Sequence, residues 1–338
     1  MKLLVTGGAG FIGSCFVRTA LTEGWAKQVV NFDKLSYAGN LENVAPVAEH
    51  AGYQFVHADI CDAEAVEKAL RDEAPDAIVH FAAESHVDRS IHSPAPVIQT
   101  NFNGTFTLLE AARRAKIARF VHVSTDEVYG SIDAPHDADE SYPLRASSPY
   151  SASKAGSDLL ALSYFTTYRL NVSVTRASNN YGPYQFPEKL IPLMISNALE
   201  DKPLPVYGDG QQVRDWLYVE DHCRAIRTVL EKGRAGEVYN VGGNCSLPNL
   251  EVVQRILRAT GKAESLITRV TDRPGHDRRY ALTNAKLTGE TGWRPQIDFS
   301  DGLQATVDWY IRHKAWVERI KSGEYTRFYE LNYSGRAG

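Results

Sequence analysis

Residues 1–33 read MKLLVTGGAGFIGSCFVRTALTEGWAKQVVNFD, and this stretch decides the fold. Lys2–Thr6 is an apolar run that ends in glycines. Gly13–Leu21 reads as a helix, and Gln28–Asp33 is a second apolar run that ends in an acid. Between the first run and the helix, Gly7, Gly10 and Gly13 form a G-x-x-G-x-x-G pattern. Glycine permits the tight turn, the approach of backbone to a pyrophosphate and the close packing of helix on strand. The helix that follows points its first amides at the anion. A glycine-rich turn alone is a weak signal. Here it follows a strand, opens a helix and has Asp33 twenty residues after Gly13, which is the context of a dinucleotide site. Asp33 is placed for the adenosine ribose hydroxyls. Its carboxylate repels a 2′-phosphate, so NAD is favoured over NADP, and Arg18 is not placed to reverse that preference.

The same alternation continues outward. Gln54–Ala58, Ala77–Ala82, Arg119–Ser124 and Val172–Arg176 are further strand-like runs, separated by helical patterns at Asp62–Glu73, Thr105–Lys116 and Tyr150–Arg169. Continuous apolar strands between amphipathic helices predict a parallel sheet covered on both faces, the doubly wound α/β (Rossmann) class. After about residue 180 the pattern changes. Asn179–Pro192 is loop-rich, Leu204–Gly210 and Glu237–Gly242 are short strand-like pieces, and Asp221–Lys232, Asn249–Gly261 and Ser300–Lys314 read as helices. The expected organisation is a dinucleotide domain over 1–180, with a return of about 215–235, and a smaller mixed α/β substrate lobe over 181–338.

Composition excludes several classes. The chain has 338 residues, 43% hydrophobic and 23% charged, which is ordinary for a globular protein and rules out disorder or a coiled coil as the main state. Lys+Arg is 37 and Asp+Glu is 41, a net charge of −4, so nothing suggests nucleic-acid or membrane-surface binding. An anionic substrate needs local Arg and Lys instead. Cys15, Cys61, Cys223 and Cys245 lack metal-ligand spacing, so no metal site is expected. The N-terminus does not read as a signal peptide and no apolar stretch is long enough to span a bilayer. Reduced thiols in a cytoplasmic protein are the expectation.

Tyr150-Ser-Ala-Ser-Lys154 puts a phenol and an ammonium at i and i+4 on one helical face. The cation is expected to lower the phenol pKa, making Tyr150 a base near neutral pH. Ser148-Pro149 fits the helix start. Downstream of a dinucleotide fold, this pair resembles that of the extended short-chain dehydrogenase/reductase superfamily, over essentially the whole chain. That resemblance implies a Ser or Thr about 25 residues earlier, which is Thr125 in Ser-Thr-Asp-Glu-Val-Tyr-Gly (124–130). Asp126 and Glu127 add two adjacent carboxylates at a strand end that faces the ligand crevice. A plain dehydrogenase or epimerase has no need of them. Elimination of water does: one acid protonates a leaving hydroxyl and one base takes a carbon-bound proton.

With that pair, the chain resembles the dTDP-glucose 4,6-dehydratase family. The stretches carrying the likeness are FAAESHVDRSI (81–91), TDEVYG (125–130), NNYGPYQFPEKL (179–190), DGQQVRDW (209–216) and DRPGHD (272–277). The resemblance implies a catalytic set of Thr125, Asp126, Glu127, Tyr150 and Lys154. It implies NAD as cofactor, held by the glycines with Phe11, Ile12, Asp33, Lys34, Leu35, Ser36, Asp59, Ile60, Ala82, Ala83, Thr100, Tyr150, Lys154 and Asn180. It implies a nucleotide-sugar substrate held by Ser85, Thr125, Asn179, Lys189, Leu190, Pro205, Val206, Tyr207, Arg214, Asn249, Asp272, Arg273, Pro274, Gly275 and His276. Lys189, Arg214 and Arg273 supply the positive charge a diphosphate needs. Asn249 reads equally as a helix N-cap, Asp59 also as a helix-start acid beside the better cap Asp62, and His86 and Asp88 as loop-shaping residues. A homodimer through the Thr105–Lys116 and Tyr150–Arg169 helices is expected. A UDP-sugar 4-epimerase, a dehydratase of another nucleotide sugar, and a cofactor-sensing regulator that lost its chemistry are the alternative readings. The intact Tyr150–Lys154 pair speaks against the last.

Overall fold

The computed structural model, which describes residues 1–321 and 324–333, lays the apolar runs side by side in one parallel sheet. Its strands are β1 (Lys2–Thr6), β2 (Gln28–Asp33), β3 (Tyr53–His57), β4 (Ala77–His80), β5 (Arg119–Thr125) and β6 (Val172–Ala177). The short strands β7 (Asn179–Tyr181), β8 (Leu204–Tyr207) and β9 (Val213–Tyr218) lie outside that sheet, and β10 (Val238–Val241) rejoins it beside β6. Last come β11 (Ser246–Pro248) and β12 (Ile267–Val270). The main sheet runs β10-β6-β5-β4-β1-β2-β3 with every neighbouring pair parallel. This is a doubly wound Rossmann sheet. Strand order reverses between β1 and β4, and ligands bind outside the carboxyl ends of the strands at such a point.

Period-two alternation explains the layers. Leu3 and Val5 of β1 face one core with Val29, Val79 and Val121, packed by Phe16 and Val17 of helix Phe11–Thr22 and by Ile226 and Val229 of helix Val219–Lys232. Leu4 faces the other core with Val30, Ile78 and Phe120, covered by Leu70 of helix Ala63–Glu73, Leu108 of helix Thr105–Arg114 and Tyr164 of helix Pro149–Tyr168.

The remaining elements make a second body with its own core. β11, β9 and β7 form a three-stranded sheet and β12 pairs with β8. Met194, Ile256 and Val307 pack around Trp216 there, from helices Leu190–Leu199, Asn249–Thr260 and Phe299–Arg312. The chain passes between the bodies more than once. The return to the main sheet runs from helix Val219–Lys232 through β10 to Val241, and Leu287 and Trp293 also pack into the main core. β9, by contrast, stays in the lobe. The stretch expected to be loop-rich, 179–192, holds β7 and the first turn of helix Leu190–Leu199; Pro192 sits within that turn, where a missing N–H costs little. No described helix is long and apolar enough to cross a membrane.

Candidate active site

The carboxyl ends of β1, β2, β4, β5 and β6 open into a cavity of about 270 Å³. Its floor at β1 is glycine because nothing larger fits. Gly7 has φ +71°, and a Cβ there would come within 2.6 Å of the Ala82 amide nitrogen; a Cβ on Gly13 would collide with the Gly7 carbonyl oxygen. Asp33 ends β2 with both oxygens fixed by backbone: Oδ2 accepts from Ala9 N at 2.9 Å and Oδ1 from Leu35 N at 2.8 Å. Burial raises its pKa, while those two amides pull it down. Lys34 reaches Thr100 Oγ1 at 3.2 Å and pairs with Asp59 and Glu84, each at 3.6 Å. Asp59 also caps its own turn, accepting from Cys61 N, and Asp62 caps the helix behind it through Ala65 N. A narrow side-chain-free cradle ending at a rigidly held acid fits a dinucleotide. Arg18 lies away from the ribose acid, over the Tyr184 ring at 4.2 Å. Of the residues expected to hold the cofactor, Leu35 alone does not line this cavity; it is in the left-handed region (φ +54°), with its amide turned to Asp33.

At the end of β5 the backbone folds into a 3₁₀ turn, Asp126–Tyr129, capped by the Thr125 hydroxyl, which accepts from Glu127 N at 3.3 Å. This turn tucks Asp126 inward. Asp126 is 2% exposed; its Oδ1 accepts from Thr125 Oγ1 at 3.3 Å and its Oδ2 has no partner. Burial first, then the neighbouring Glu127, pushes its pKa well above the usual carboxylate range. Burial also raises Glu127, but Arg273, Lys189 and Arg214 pull it back. Both carboxyls are raised, Asp126 further, because three cations offset burial at Glu127 while Arg214 is the cation acting on Asp126; environments that differ in this way suit an acid and a base.

Tyr150 and Lys154 sit in the first turns of helix Pro149–Tyr168. Ser148 starts it with a capping box, exchanging hydrogen bonds with Ser151, and Pro149 occupies the first position. Lys154 Nζ donates to the Val123 carbonyl at 2.8 Å, and burial lowers the ammonium to about 8. The expected lowering of the Tyr150 phenol is not what the site shows. Burial raises it and Glu127 adds to the rise; the Thr125 hydroxyl pulls the other way, and Asp126 adds a smaller rise. Sequence spacing placed the cation on the right helical face but could not register the burial or the two carboxylates opposite.

A second cavity, of about 140 Å³, meets the first at Glu127, Asn179, Glu188 and Lys189 and extends under the lobe. Leu190, Pro205, Val206, Tyr207, Arg214, Asn249, Arg273 and His276 line it, while Ser85 and Thr125 face the first cavity only. Arg214 is fixed by the Val213 and Asp277 carbonyls, with its guanidinium 4.0 Å from the Tyr280 ring centre. Lys189 donates to the Ser85 carbonyl. The Asn249 Oδ1, Arg273 Nε and Asn179 Oδ1 atoms are buried without a partner. Asn249 is not a cap: Pro248 holds that position, and Asn249 begins the helix with its side chain in the cavity. Asp272, Pro274 and Gly275 line neither cavity. Asp272 instead shapes the loop, accepting from Gln212 Nε2 and the Arg273 amide and pairing with His276 Nδ1 at 2.6 Å. Sequence reasoning assigned no role to Glu188 and took Asp88 only as loop-shaping. Glu188 is 4% exposed in its side chain and accepts from Tyr37 OH at 2.8 Å and Arg89 Nε at 3.0 Å. Its one sequence signal is adjacency to Lys189.

Comparison with known proteins fits this arrangement. The GDP-mannose 4,6 dehydratase family profile matches residues 4–306. A dTDP-glucose 4,6-dehydratase of Shigella flexneri is 52% identical over 99% of this chain and 100% of its own length. Among solved structures, DesIV (dTDP-glucose 4,6-dehydratase) of Streptomyces venezuelae, solved with NAD and a second ligand bound, superposes with a TM-score of 0.93. It is 53% identical and covers 95% of this chain and all of its own. The UDP-glucose 4-epimerase of Thermus thermophilus, solved with NAD, shares the fold (TM-score 0.86, covering 93% of this chain and 100% of its own) at 34% identity. Whole-length identity therefore runs higher to dehydratases than to an epimerase of the same fold, and the chain belongs to the dTDP-glucose 4,6-dehydratase family.

Proposed function

We propose that this protein is an NAD-dependent hydro-lyase that converts dTDP-glucose to dTDP-4-dehydro-6-deoxy-glucose and water, for deoxysugar biosynthesis. One observation carries the reading: buried Asp126, with an Oδ2 that has no partner among the described residues, beside half-buried Glu127, which lines both cavities where they meet. The glycine cradle, Asp33 and the Lys34–Thr100 edge hold the dinucleotide. When bound, NAD would supply a hydride acceptor for C4, a donor of the same hydride to C6, and positive charge in the site. Tyr150 takes the C4 hydroxyl proton, which requires the positive charge of Lys154 and of the bound cofactor to offset the burial that raises its phenol, and Thr125 hydrogen-bonds that oxygen. The C4 ketone acidifies the C5 hydrogen, which Glu127 removes as base. Asp126, kept protonated by burial, gives its proton to the C6 hydroxyl, which leaves as water. Glu127 returns its proton to C5 when C6 is reduced, and the proton that Tyr150 took from the C4 hydroxyl offsets the one Asp126 gave to water, so the proton inventory closes. Lys189, Arg214, Arg273 and Asn249 hold the nucleotide diphosphate.

The test is mass spectrometry of dTDP-glucose and UDP-glucose incubations with purified protein and no added NAD. Loss of one water from the dTDP sugar alone, with no net NADH formed, is expected. Stoichiometric free NADH, or an epimerised product, would refute the reading. The proposal extends to a cytoplasmic homodimer. Phe102, Phe106, Leu159 and Tyr168 are exposed on or beside the two helices named for it, and burying such side chains against a second copy would favour association. Sedimentation velocity reads the state directly, and Leu159→Glu should shift it toward monomer.

A further inference from the structure

Asp88 lies in the short helix Val87–His92 that follows β4, on the dinucleotide side of the molecule, yet its carboxylate is spent on the other body. Oδ1 pairs with Arg273 Nη1 at 2.7 Å. Oδ2 accepts from Tyr207 OH at 2.9 Å and from Asn332 Nδ2 at 3.4 Å, and Asn332 Nδ2 also donates to Tyr207 OH at 2.8 Å. One buried carboxylate (5% exposed) therefore joins the end of β8, the loop after β12 and the terminal helix Glu324–Tyr333. Among the described residues, the Arg273 side chain is held by a hydrogen bond from Nη1. Its Nε is buried without a partner in the second cavity, where the sugar diphosphate is proposed to sit.

A guanidinium on a loop is useful to an anion only if its plane is fixed beforehand; otherwise binding has to order it. Asp88 fixes one edge of Arg273 through a charge-assisted bond and leaves other donors facing the cavity. By holding Tyr207 and Asn332 as well, it closes the terminal helix over the outer wall, where Tyr333 reaches the same cavity and stacks 6.0 Å from Tyr207.

We infer that Asp88 is a positioning residue for the nucleotide diphosphate: it aims Arg273 and latches the terminal helix across the substrate cavity. The inference rests on the proposed dTDP-sugar specificity. The test is titration calorimetry of the full-length, NAD-loaded protein with dTDP, together with steady-state kinetics on dTDP-glucose. Asp88→Asn, nearly the same shape without the charge, should raise the dTDP dissociation constant and KM by 10- to 100-fold, while kcat falls no more than about threefold. Asp88→Glu should recover most of the affinity. Arg273→Gln should weaken dTDP comparably, and the double variant should lose less than the sum of the two single losses, since Asp88 acts partly through Arg273 and partly through the terminal helix. Retained NAD and the melting temperature verify the fold of each variant. Unchanged or tighter dTDP binding in Asp88→Asn would mean that the carboxylate merely competes with the diphosphate, and the inference fails. Additive losses in the double variant, or equal losses in Asp88→Asn and Asp88→Glu, refute it too. A wild-type protein that ignores dTDP overturns the functional reading and this inference with it, a result distinct from a wild type that binds dTDP alongside an indifferent Asp88→Asn.

Discussion

The ends of β2 and β5 each present a buried acid to the same cavity, and the two acids are wired differently. Asp33 has a backbone N–H on each oxygen. Asp126 has a hydroxyl on one oxygen and nothing on the other, with a second carboxylate next to it in sequence. A carboxylate whose oxygens are met by fixed donors is an anchor: its charge is tolerated and its position is set. A carboxyl group buried with an unmet oxygen resists ionising, so it keeps a proton that it can later give up. On the roles proposed above, hydrogen-bond satisfaction separates a binding acid from a chemical one along the carboxyl ends of a single sheet.

The sharpest way to break this contrast is to neutralise the acids at β5. Asp126→Asn cannot deliver a proton to a leaving hydroxyl and Glu127→Gln cannot accept one from carbon. Each should slow formation of the 4-dehydro-6-deoxy product by about 10²–10⁴-fold, with dTDP affinity nearly retained in Asp126→Asn, since Asp126 lines the first cavity only. Product formation followed by mass spectrometry decides it. A double variant turning over near the wild-type rate would reduce the pair to an acidic turn.

At β2 the expected effect is smaller and of another kind. A charge-assisted hydrogen bond from a ribose hydroxyl to Asp33 is worth about 1.5–3 kcal/mol, so Asp33→Ala should weaken NAD retention roughly 10- to 100-fold. It should also narrow the preference over NADP. Catalysis at saturating NAD should suffer far less than in the β5 variants. Binding titrations with both dinucleotides measure it, and equal NAD affinity in a folded Asp33→Ala protein would make that acid a bystander that only shapes the Ala9–Leu35 turn.

How far these regions could be read from sequence follows from how local their parts are. The cradle was legible because Gly7, Gly10, Gly13 and Asp33 belong to one strand–turn–helix–strand unit, whose spacing dictates their meeting. Tyr150 and Lys154 were legible as one helical turn. The second cavity was not. Asp88 meets Arg273 across 185 positions and Glu188 meets Tyr37 across 151, so neither pair leaves a periodic trace; resemblance alone pointed to Arg273. Tertiary environment also decided ionisation. The Tyr150–Lys154 spacing predicted a lowered phenol, and burial reversed it. Asn249 shows the same limit at a helix start, where Pro248 took the capping position and left the amide to the cavity.

The smallest predicted effect tests the contrast without any substrate. If Asp126 carries an unmet oxygen in a buried site, its ionisation opposes folding, and removing the titratable proton should stabilise the protein. The sign follows from linkage. Below the unfolded carboxyl value, near pH 4, both states hold the proton and the group costs nothing. As pH rises past that value the unfolded chain releases its proton while the folded chain, with a raised pKa, keeps it. Stability then falls by up to about 1.4 kcal/mol per pH unit from this group. Asp126→Asn does not titrate and escapes that loss. Its amide still has the Thr125 hydroxyl within 3.3 Å as a partner for one end. Melting temperatures at matched NAD should therefore nearly coincide for wild type and Asp126→Asn at pH 4.5, and separate by a few degrees in favour of the variant at pH 8. Glu127 is raised as well and is coupled to Asp126, so the difference reports the loss of one titrating site from the pair. A variant that melts below the wild type at every pH would show that the Asp126 carboxylate is stabilising. Asp126 would then be an anchor of the Asp33 kind, and the distinction between the ends of β2 and β5 would not hold.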